Sequence, residues 1–190
     1  MKINQLLAIS FVGILLSSCG SSKKITETTA TGETRKEIEV PCKEYTENTN
    51  DAFRATASAS SPNHQFAKEK AMGLARNVLA QKIQTSVQGM FDTYADQKDI
   101  DNIQEFRETT KLISRQVTDQ TLSGINTICQ KDFTLSSGKY EVWIALEMPV
   151  ENVGKELQKS VSNEKKIKLD YDYEKFKEEL QKEIEKRKNQ

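Results

Sequence analysis

The sequence predicts an α+β domain: a small antiparallel sheet packed on one long helix or a helix hairpin, followed by a charged C-terminal helix. Two observations lead to this class. Apolar residues recur at steps of three, four and seven through residues 67–94, which is typical of one face of an amphipathic helix. Residues 53–60 and 140–148 instead alternate between apolar and polar side chains, as strands with one buried face do. The broad apolar face of the helix is therefore predicted to pack on a sheet.

The size and charge of the chain limit what the protein can be. Its 190 residues carry no net formal charge, 29% are charged and 36% are hydrophobic, which allows one modest domain with polar extensions. The isoelectric point near 6.6 gives no basic surface of the kind that nucleic-acid-binding proteins concentrate on one face. The sequence therefore argues against nucleic acid as a partner.

Residues 1–18 have the layout of an export signal. Lys2 supplies a positive charge, an apolar run follows from Leu6 to Leu16, and the small residues Ser17 and Ser18 come next. The run is too short to span a bilayer, since about 20 apolar residues are needed. Leu16-Ser17-Ser18-Cys19 resembles the lipobox of bacterial lipoproteins, which predicts that Cys19 is acylated after cleavage just before it. The alternative is a simple secretory signal that leaves Cys19 as a free thiol.

Acyl chains on Cys19 would attach the protein to a membrane, because each buried CH₂ contributes about 0.8 kcal/mol and two chains suffice for stable anchoring. Gly20 follows the cysteine, where lipoprotein sorting places Asp for inner-membrane retention, so the sequence predicts the outer membrane. Residues 21–24 are two serines and two lysines and lack the acidic residues that accompany surface display. We therefore expect a periplasm-facing anchor, with residues 19–36 forming the lipidated cysteine and a flexible tether rich in Ser, Thr and charge.

The α+β domain is predicted over residues 37–160. Its first strand is expected at Ile38–Cys42, where Pro41 restricts it to an edge or terminal position. A strand of small residues follows at 53–60, and Ser61 with Pro62 forms a helix start signal, a cap followed by proline. The face of the long helix is predicted to bury Ala67, Ala71, Leu74, Ala75, Val78, Leu79, Ile83, Val87, Met90 and Tyr94.

A second helix with a narrower apolar stripe is predicted after the polar residues 96–102, and the sequence leaves open whether the two helices form a hairpin or one kinked helix. The stripe consists of Ile103, Phe106, Ile113 and Val117. Strands at 125–135 and 140–148 are joined by a turn at 136–139, and a short helix is expected over 150–161. Residues 161–190 are predicted to form the charged helix, either lying on the domain or acting as a coiled-coil or partner-binding arm.

Cysteine usage fits an exported protein. Once Cys19 is acylated, only Cys42 and Cys129 remain, and an oxidising compartment favours pairing of an even number of thiols. We hypothesise a Cys42–Cys129 disulfide that ties the entry strand to the sheet. The alternative is a pair of buried, reduced thiols.

The sequence predicts no enzyme, no cofactor and no metal site. His64 is the single histidine and is expected to be an ordinary surface residue, because no cysteine or acidic cluster lies near it in sequence. Asp99 and Asp101 lie in a polar loop and are expected to be solvated turn or capping residues. No nucleophile elbow, metalloprotease helix or paired-cysteine motif occurs.

The stretches "AKEKAMGLARNVLAQKIQTSV" and, some 50 residues later, "YEVWIALEMP" resemble the small membrane-associated bacterial lipoprotein family of about twenty kilodaltons. The same pattern is similar to the amino-terminal domain of the flagellar assembly protein T. The resemblance covers roughly residues 50–157 and implies an α+β sandwich with a structural or assembly role in the cell envelope, through protein partners yet to be identified. The alternative function is a periplasmic carrier of a small ligand or lipid, which would need an apolar cavity between the long helix and the sheet.

Overall fold

The computed structural model describes residues 26–28, 34–36, 38–97, 100–163, 178–179 and 182. The chain divides into two compact units, Met1–Glu39 and Val40–Gln190. In the first unit, strand β1 (Thr26–Thr28) pairs antiparallel with β2 (Thr34–Lys36). This strand pair lies within the range predicted to be a tether. The predicted signal peptide and Cys19 lie outside the described residues, as does nearly all of the predicted helix at 161–190.

The second unit is an α+β domain, which confirms the predicted fold class. Its elements are β3 (Ala52–Ser61), α1 (His64–Gln97), α2 (Ile103–Thr121), β4 (Asn126–Thr134), β5 (Tyr140–Pro149) and α3 (Val150–Asn163). The three strands form one antiparallel sheet in the order β3-β5-β4. Strand β5 is central, and β3 and β4 are the two edges.

Helix α1 packs on β3 and β5 through a row of residues spaced four apart. The first three members of this row are alanines, so the helix backbone can approach the sheet closely. Leu74 and Val78 were predicted to join this face, but they are 42% and 37% exposed. Each precedes a row member by one residue and is therefore turned about 100° away from it around the helix axis. The fully buried row is Ala67, Ala71, Ala75, Leu79, Ile83 and Val87.

The start of α1 differs from the prediction. Ser61 is the last residue of β3, and the helix begins at His64. The side chain of Asn63 accepts a hydrogen bond from the Phe66 backbone N–H at 2.9 Å. Asn63, one of the residue types that cap helix N-termini well, therefore takes the role predicted for Ser61, whose hydroxyl accepts from the Asn63 N–H instead.

Helices α1 and α2 form a hairpin, which decides between the two arrangements that the sequence left open. Asn102 caps α2 by accepting from the Glu105 N–H. Phe106, near the start of α2, stacks on Tyr94 and meets Phe91 edge to face. Helix α3 packs mainly on α2, and the buried residues of both helices join one continuous core with α1 and the sheet.

The β4–β5 hairpin follows the predicted pattern. Its turn is closed by a hydrogen bond from the Leu135 N–H to the Lys139 carbonyl, and Gly138 adopts φ +77°, a conformation that glycine adopts without steric cost. Val142, Ile144, Leu146 and Met148 are fully buried on the helix side of β5.

The predicted entry strand is wrong. Residues 38–40 have no regular structure, Pro41 and Cys42 form a turn, and a short 3₁₀ turn follows at Lys43–Tyr45. Pro41 has no N–H for a strand ladder, and Cys42 has φ 58°, in the left-handed region, which ends any extended segment there. The chain nevertheless lies against the sheet through side-chain and sulfur contacts.

Candidate functional site: the entry segment and the β3 edge

The entry segment, defined as residues 40–49, is the first part of the domain to follow the anchor and tether predicted from the sequence. Cys42 is buried, with 3% of its surface exposed. Its sulfur lies 2.06 Å from that of Cys129, and the two Cα atoms are 6.0 Å apart. Cys129 stands in β4 opposite Ala145 of β5. The entry segment therefore reaches the β4 side of the sheet through this pair of sulfurs.

The same segment is hydrogen-bonded to the other edge strand, β3. The Thr49 N–H donates to the Ala52 carbonyl at 2.8 Å, and the Ala52 N–H donates to the Thr49 hydroxyl at 3.0 Å. One step along, the Arg54 N–H donates to the Asn48 side-chain oxygen at 2.8 Å. These bonds occupy the free edge of β3 from Ala52 to Arg54.

Lys82 connects helix α1 to the β3 edge and to the entry segment through two hydrogen bonds. Its ammonium donates to the carbonyl of Thr46 in the entry segment at 2.7 Å and to the carbonyl of Arg54 in β3 at 2.9 Å. Burial of the ammonium lowers the pKa of Lys82 below its ordinary value, and the nearby Glu47 carboxylate opposes part of that shift. Lys82 thus joins a helix, a strand and the entry segment at one point.

The side chain of Arg54 lies on the face of the sheet opposite the helices, where it contacts Glu147 and the entry segment. Its Nε donates to a Glu147 carboxylate oxygen at 2.7 Å, and its guanidinium lies 5.7 Å from the centre of the Tyr45 ring. Its neighbour along the face, Thr56, donates through its hydroxyl to the Tyr45 carbonyl at 3.3 Å. The entry segment therefore covers the part of this face that is formed by Arg54 and Thr56.

Beyond Arg54 the β3 edge is open. The backbone groups of Ala52 and Arg54 point away from β5, and residues of an antiparallel strand alternate in this respect, so those of Thr56, Ser58 and Ser60 do so as well. Among the described residues, none hydrogen-bonds to the backbone of these three. About half of the β3 edge is thus occupied by the protein's own chain, and half is available.

Helix α1 carries several exposed apolar side chains. Phe66 is 60% exposed, Leu74 is 42% exposed and Val78 is 37% exposed. Lys82, four residues after Val78, contacts the β3 edge. Ala57 of β3, which faces the helices, is only partly buried.

The face of the sheet opposite the helices is partly apolar. Trp143 of β5 is half-buried on this face, and its indole N–H is buried with no hydrogen-bond partner among the described residues. Phe133 of β4 is 42% exposed and is paired with Glu141, one step from Trp143 and on the same face. This face offers aromatic surface outside the part that the entry segment covers.

A cleft of about 440 Å³ lies between α1 and α2. Charged side chains line it on both sides, with Asp92 on one wall and Arg107 and Lys111 on the other. The alternative carrier function would instead need an apolar cavity between α1 and the sheet, where the row from Ala67 to Val87 is packed and fully buried. The cleft is lined by Gln84, Thr85, Gln88, Gly89, Asp92, Arg107 and Lys111.

The remaining predicted residues stand apart from the entry segment. His64 lies 3.5 Å from the Asp132 carboxylate and packs edge to face on Tyr140, and Asp101 is exposed. Asp99 lies outside the described residues. Within the described part of the chain, no group of three potential metal ligands comes together.

Sequence reasoning missed Lys82, Asn48 and Thr49 as members of this site. A signal for Lys82 was present, since a lysine four residues after Val78 and eight after Leu74 continues an otherwise largely apolar row. Asn48 and Thr49 gave no comparable signal, because their role depends on which strand lies next to them.

No protein-family model matches the chain, and no curated protein matches it. Helices long and apolar enough to cross a bilayer are not found in the described ranges.

Proposed function

We propose that the chain is a non-enzymatic envelope lipoprotein, anchored by acyl chains on Cys19 to the outer membrane and facing the periplasm. Its α+β domain acts as a structural or assembly module that binds protein partners. The layout of residues 1–19 supports the anchor. The resemblance to the small lipoproteins and to the flagellar assembly protein T domain supports an accessory role in a larger envelope assembly.

The observation that carries the proposal is the double attachment of the entry segment. A domain held by a membrane anchor receives any pull on that anchor at its first ordered residues. Here those residues are attached to β4 through Cys42 and Cys129 and to β3 through Asn48, Thr49 and Lys82. Force is thereby shared across both edges of the sheet instead of peeling one strand away.

The same observation favours export. A disulfide persists in an oxidising compartment such as the periplasm, and the buried position of Cys42 protects it. The carrier alternative lacks comparable support, since the described packing between α1 and β3 is tight.

Membrane fractionation tests the anchor. In a bacterial host, the wild-type protein is expected in the washed membrane fraction with incorporated labelled palmitate, whereas Cys19→Ser is expected in neither the membrane nor the labelled pool. Ser21→Ala, two residues away, is the matched control and should behave as wild type. A Cys19→Ser protein that remains membrane-bound after washing would contradict the proposal.

Crosslinking in cells followed by mass spectrometry tests the assembly role. The expected result is a reproducible set of envelope proteins linked to the wild-type chain and lost or reduced with Cys19→Ser. Absence of any crosslinked protein under conditions that capture known envelope complexes would count against this part of the proposal.

A further inference from the structure

We propose that the cleft between α1 and α2 binds a small acidic amino acid, with the ammonium group of the ligand at Asp92 and its two carboxylates at Arg107 and Lys111. This inference goes beyond the proposed anchoring and assembly role and does not depend on it. The cleft has a volume of about 440 Å³, which lies within the range of small-molecule sites in proteins. It has room for roughly 15 water-sized groups, more than a molecule of about ten non-hydrogen atoms needs.

The two helices contact each other on both sides of the cleft. On one side, Phe106 of α2 stacks on Tyr94 of α1, with ring centroids 6.1 Å apart. On the other side, the fully buried Ser114 of α2 shares its hydroxyl proton between the Gln88 side-chain oxygen at 3.2 Å and the Thr110 carbonyl at 2.8 Å. The cleft residues of α2 lie between these contacts in the sequence. The walls are therefore held in place before a ligand arrives, which lowers the entropic cost of binding.

The charged side chains of the cleft are not paired with one another. Asp92 lies on one wall and Arg107 and Lys111 lie on the other, and all three are exposed. In the part of the chain that the structure describes, the ion pairs join other residues and none includes these three. Asp92 is therefore beyond ion-pair distance of both cations, and a ligand between the walls can contact each of them.

Hydrogen bonds orient the Asp92 carboxylate. The side-chain N–H of Gln88 donates to a carboxylate oxygen of Asp92 at 3.1 Å, and the oxygen of the same amide accepts from Ser114. Gln88 thereby links the carboxylate to a buried residue of the opposite helix. A carboxylate has about four lone-pair sites, so this bond leaves capacity for an ammonium group.

Arg107 and Lys111 lie four residues apart on α2. Their side chains are therefore neighbours on one face of the helix, with Cβ atoms about 5–6 Å apart. Arg107 offers N–H donors in a planar fork that matches a carboxylate, and Lys111 offers a compact positive charge beside it. This wall can hold two carboxylates of one ligand.

The charges of the lining favour an acidic amino acid over other small ions. The lining carries two cations and one carboxylate, and an acidic amino acid carries two carboxylates and one ammonium group. Asp92 repels an inorganic anion such as phosphate, whereas Arg107 and Lys111 repel a basic amino acid. An acidic amino acid complements all three charges at once.

The test uses the full-length lipidated protein in detergent, labelled with ¹⁵N, and L-glutamate as the probe. Titration followed by NMR is expected to shift the amide signals of Gln88 and Gly89, which line the cleft. Saturation is expected in the millimolar range, as for a ligand of this size in an open site. The Gly138 amide, in the β4–β5 turn, is the internal reference and should not move. Absence of a saturable shift at Gln88 and Gly89 would overturn the proposal.

Two analogues separate the charges of the ligand. Glutarate keeps both carboxylates but lacks the ammonium group, and L-glutamine keeps the ammonium group but has a neutral side chain. Each is expected to bind about threefold to fivefold more weakly than L-glutamate, because one contact between opposite charges at an exposed site is lost. Binding of either analogue as tightly as L-glutamate contradicts the proposed recognition of all three charges.

Protein variants assign the contacts. Asp92→Asn is expected to weaken binding of L-glutamate about threefold to fivefold and to strengthen binding of glutarate, because the repelling charge is gone. Arg107→Gln is expected to weaken binding of both compounds. Arg115→Gln, at the exposed position one turn beyond Lys111, removes a cation outside the cleft lining and is the matched control. Thermal melts check that the variants fold, and an unchanged affinity of Asp92→Asn for L-glutamate would exclude the assigned ammonium contact.

Failure of this proposal is distinct from failure of the proposed function. The Cys19→Ser protein is expected to bind L-glutamate as tightly as the wild type. A cleft that does not bind L-glutamate leaves anchoring through Cys19 and the crosslinked partners unaffected, whereas loss of anchoring leaves the titration unchanged.

Discussion

Strands β3 and β4 are both edges of the same sheet, yet only β4 combines exposed charged side chains with a bulge in its pairing with β5. Its ladder with β5 is interrupted between Thr127 and Cys129, and Lys131 and Asp132 are exposed. Bulges and charged residues discourage pairing with other chains. β3 has neither in its open stretch from Thr56 to Ser60. The comparison indicates that one edge is closed to other strands and that a short part of the other is available.

The two edges also depend differently on the entry segment. β4 is attached to it by the sulfur pair, whereas β3 is attached by several hydrogen bonds and by Lys82. The open part of β3 is therefore bounded at one end by the entry segment.

The largest expected effect comes from removing the link to β4. Cys42→Ser combined with Cys129→Ser is expected to lower the free energy of unfolding by roughly 4 to 5 kcal/mol, because the bond would close a loop spanning 87 residues. Urea denaturation of the oxidised protein measures the difference. The oxidised wild-type protein should show no free thiol at these two positions in its alkylated intact mass.

Treating the wild-type protein with a reductant provides the control for that double variant. The reduced wild type should match the variant in stability to within about 1 kcal/mol, since both lack the same loop constraint. Two alkylated thiols in untreated protein from an oxidising compartment would show that the link does not form there.

The second comparison concerns the two neighbouring rows of α1. Leu79→Ala removes a fully buried side chain and is expected to cost about 2 to 5 kcal/mol, the usual range for a leucine cavity. Val78→Ala, at the adjoining exposed position, should change stability by less than about 0.5 kcal/mol. Equal losses at the two positions would place Val78 in the core and contradict the assignment of the two rows.

The third comparison concerns the junction between the closed and open parts of β3. Lys82→Met keeps an apolar stem but removes both charge-assisted bonds, so a loss of roughly 1.5 to 3 kcal/mol is expected at neutral pH. Chemical denaturation measures it. Gln81→Met, one residue earlier and exposed, is the matched control and should be close to neutral.

Lys82 also gives the protein a specific alkaline pH dependence. Its pKa is lower in the folded state than in the unfolded chain, so the unfolded state binds more protons between those two values. Stability from this group therefore rises as pH increases through the folded-state pKa toward the unfolded value. We therefore expect the free energy of unfolding of the wild type to increase relative to that of Lys82→Met as the pH rises over that range. A difference between the two proteins that stays constant with pH would contradict the burial of the Lys82 ammonium.

Local periodicity predicted much of this fold. The steps of α1 and the alternation of β5 are properties of neighbouring residues, so their elements were identified from the sequence. The apolar stripe of α1 also included Leu74 and Val78, because a stripe of three- and four-residue steps does not tell which flank meets the sheet. Asn63 was missed as the helix cap because Ser61 and Pro62 form a stronger local signal.

The candidate site was less accessible to sequence reasoning because its contacts are distant in the chain. Lys82 bonds to Thr46, 36 residues away, and to Arg54, 28 residues away. Only the pairing of Cys42 with Cys129 was hypothesised, since an even count of thiols limits the choices. The open half of β3 depends on strand order, which places β5 at the centre and was not predicted.

The smallest effect on stability is expected from removing the charges on β4. This change tests directly whether those charges keep the β4 edge from pairing with other strands. Lys131→Thr with Asp132→Thr leaves the exposed strand polar but uncharged, so stability should shift by less than about 0.5 kcal/mol. The loss of charge makes the edge more competent to pair with another copy. Faster sedimentation than wild type at equal concentration is expected in analytical ultracentrifugation. The matched control, Lys111→Thr with Asp119→Thr on α2, removes the same charges from a helix and should sediment as wild type. Unchanged sedimentation of the β4 variant would mean that the bulge alone closes this edge, and the contrast with β3 would then rest on backbone geometry.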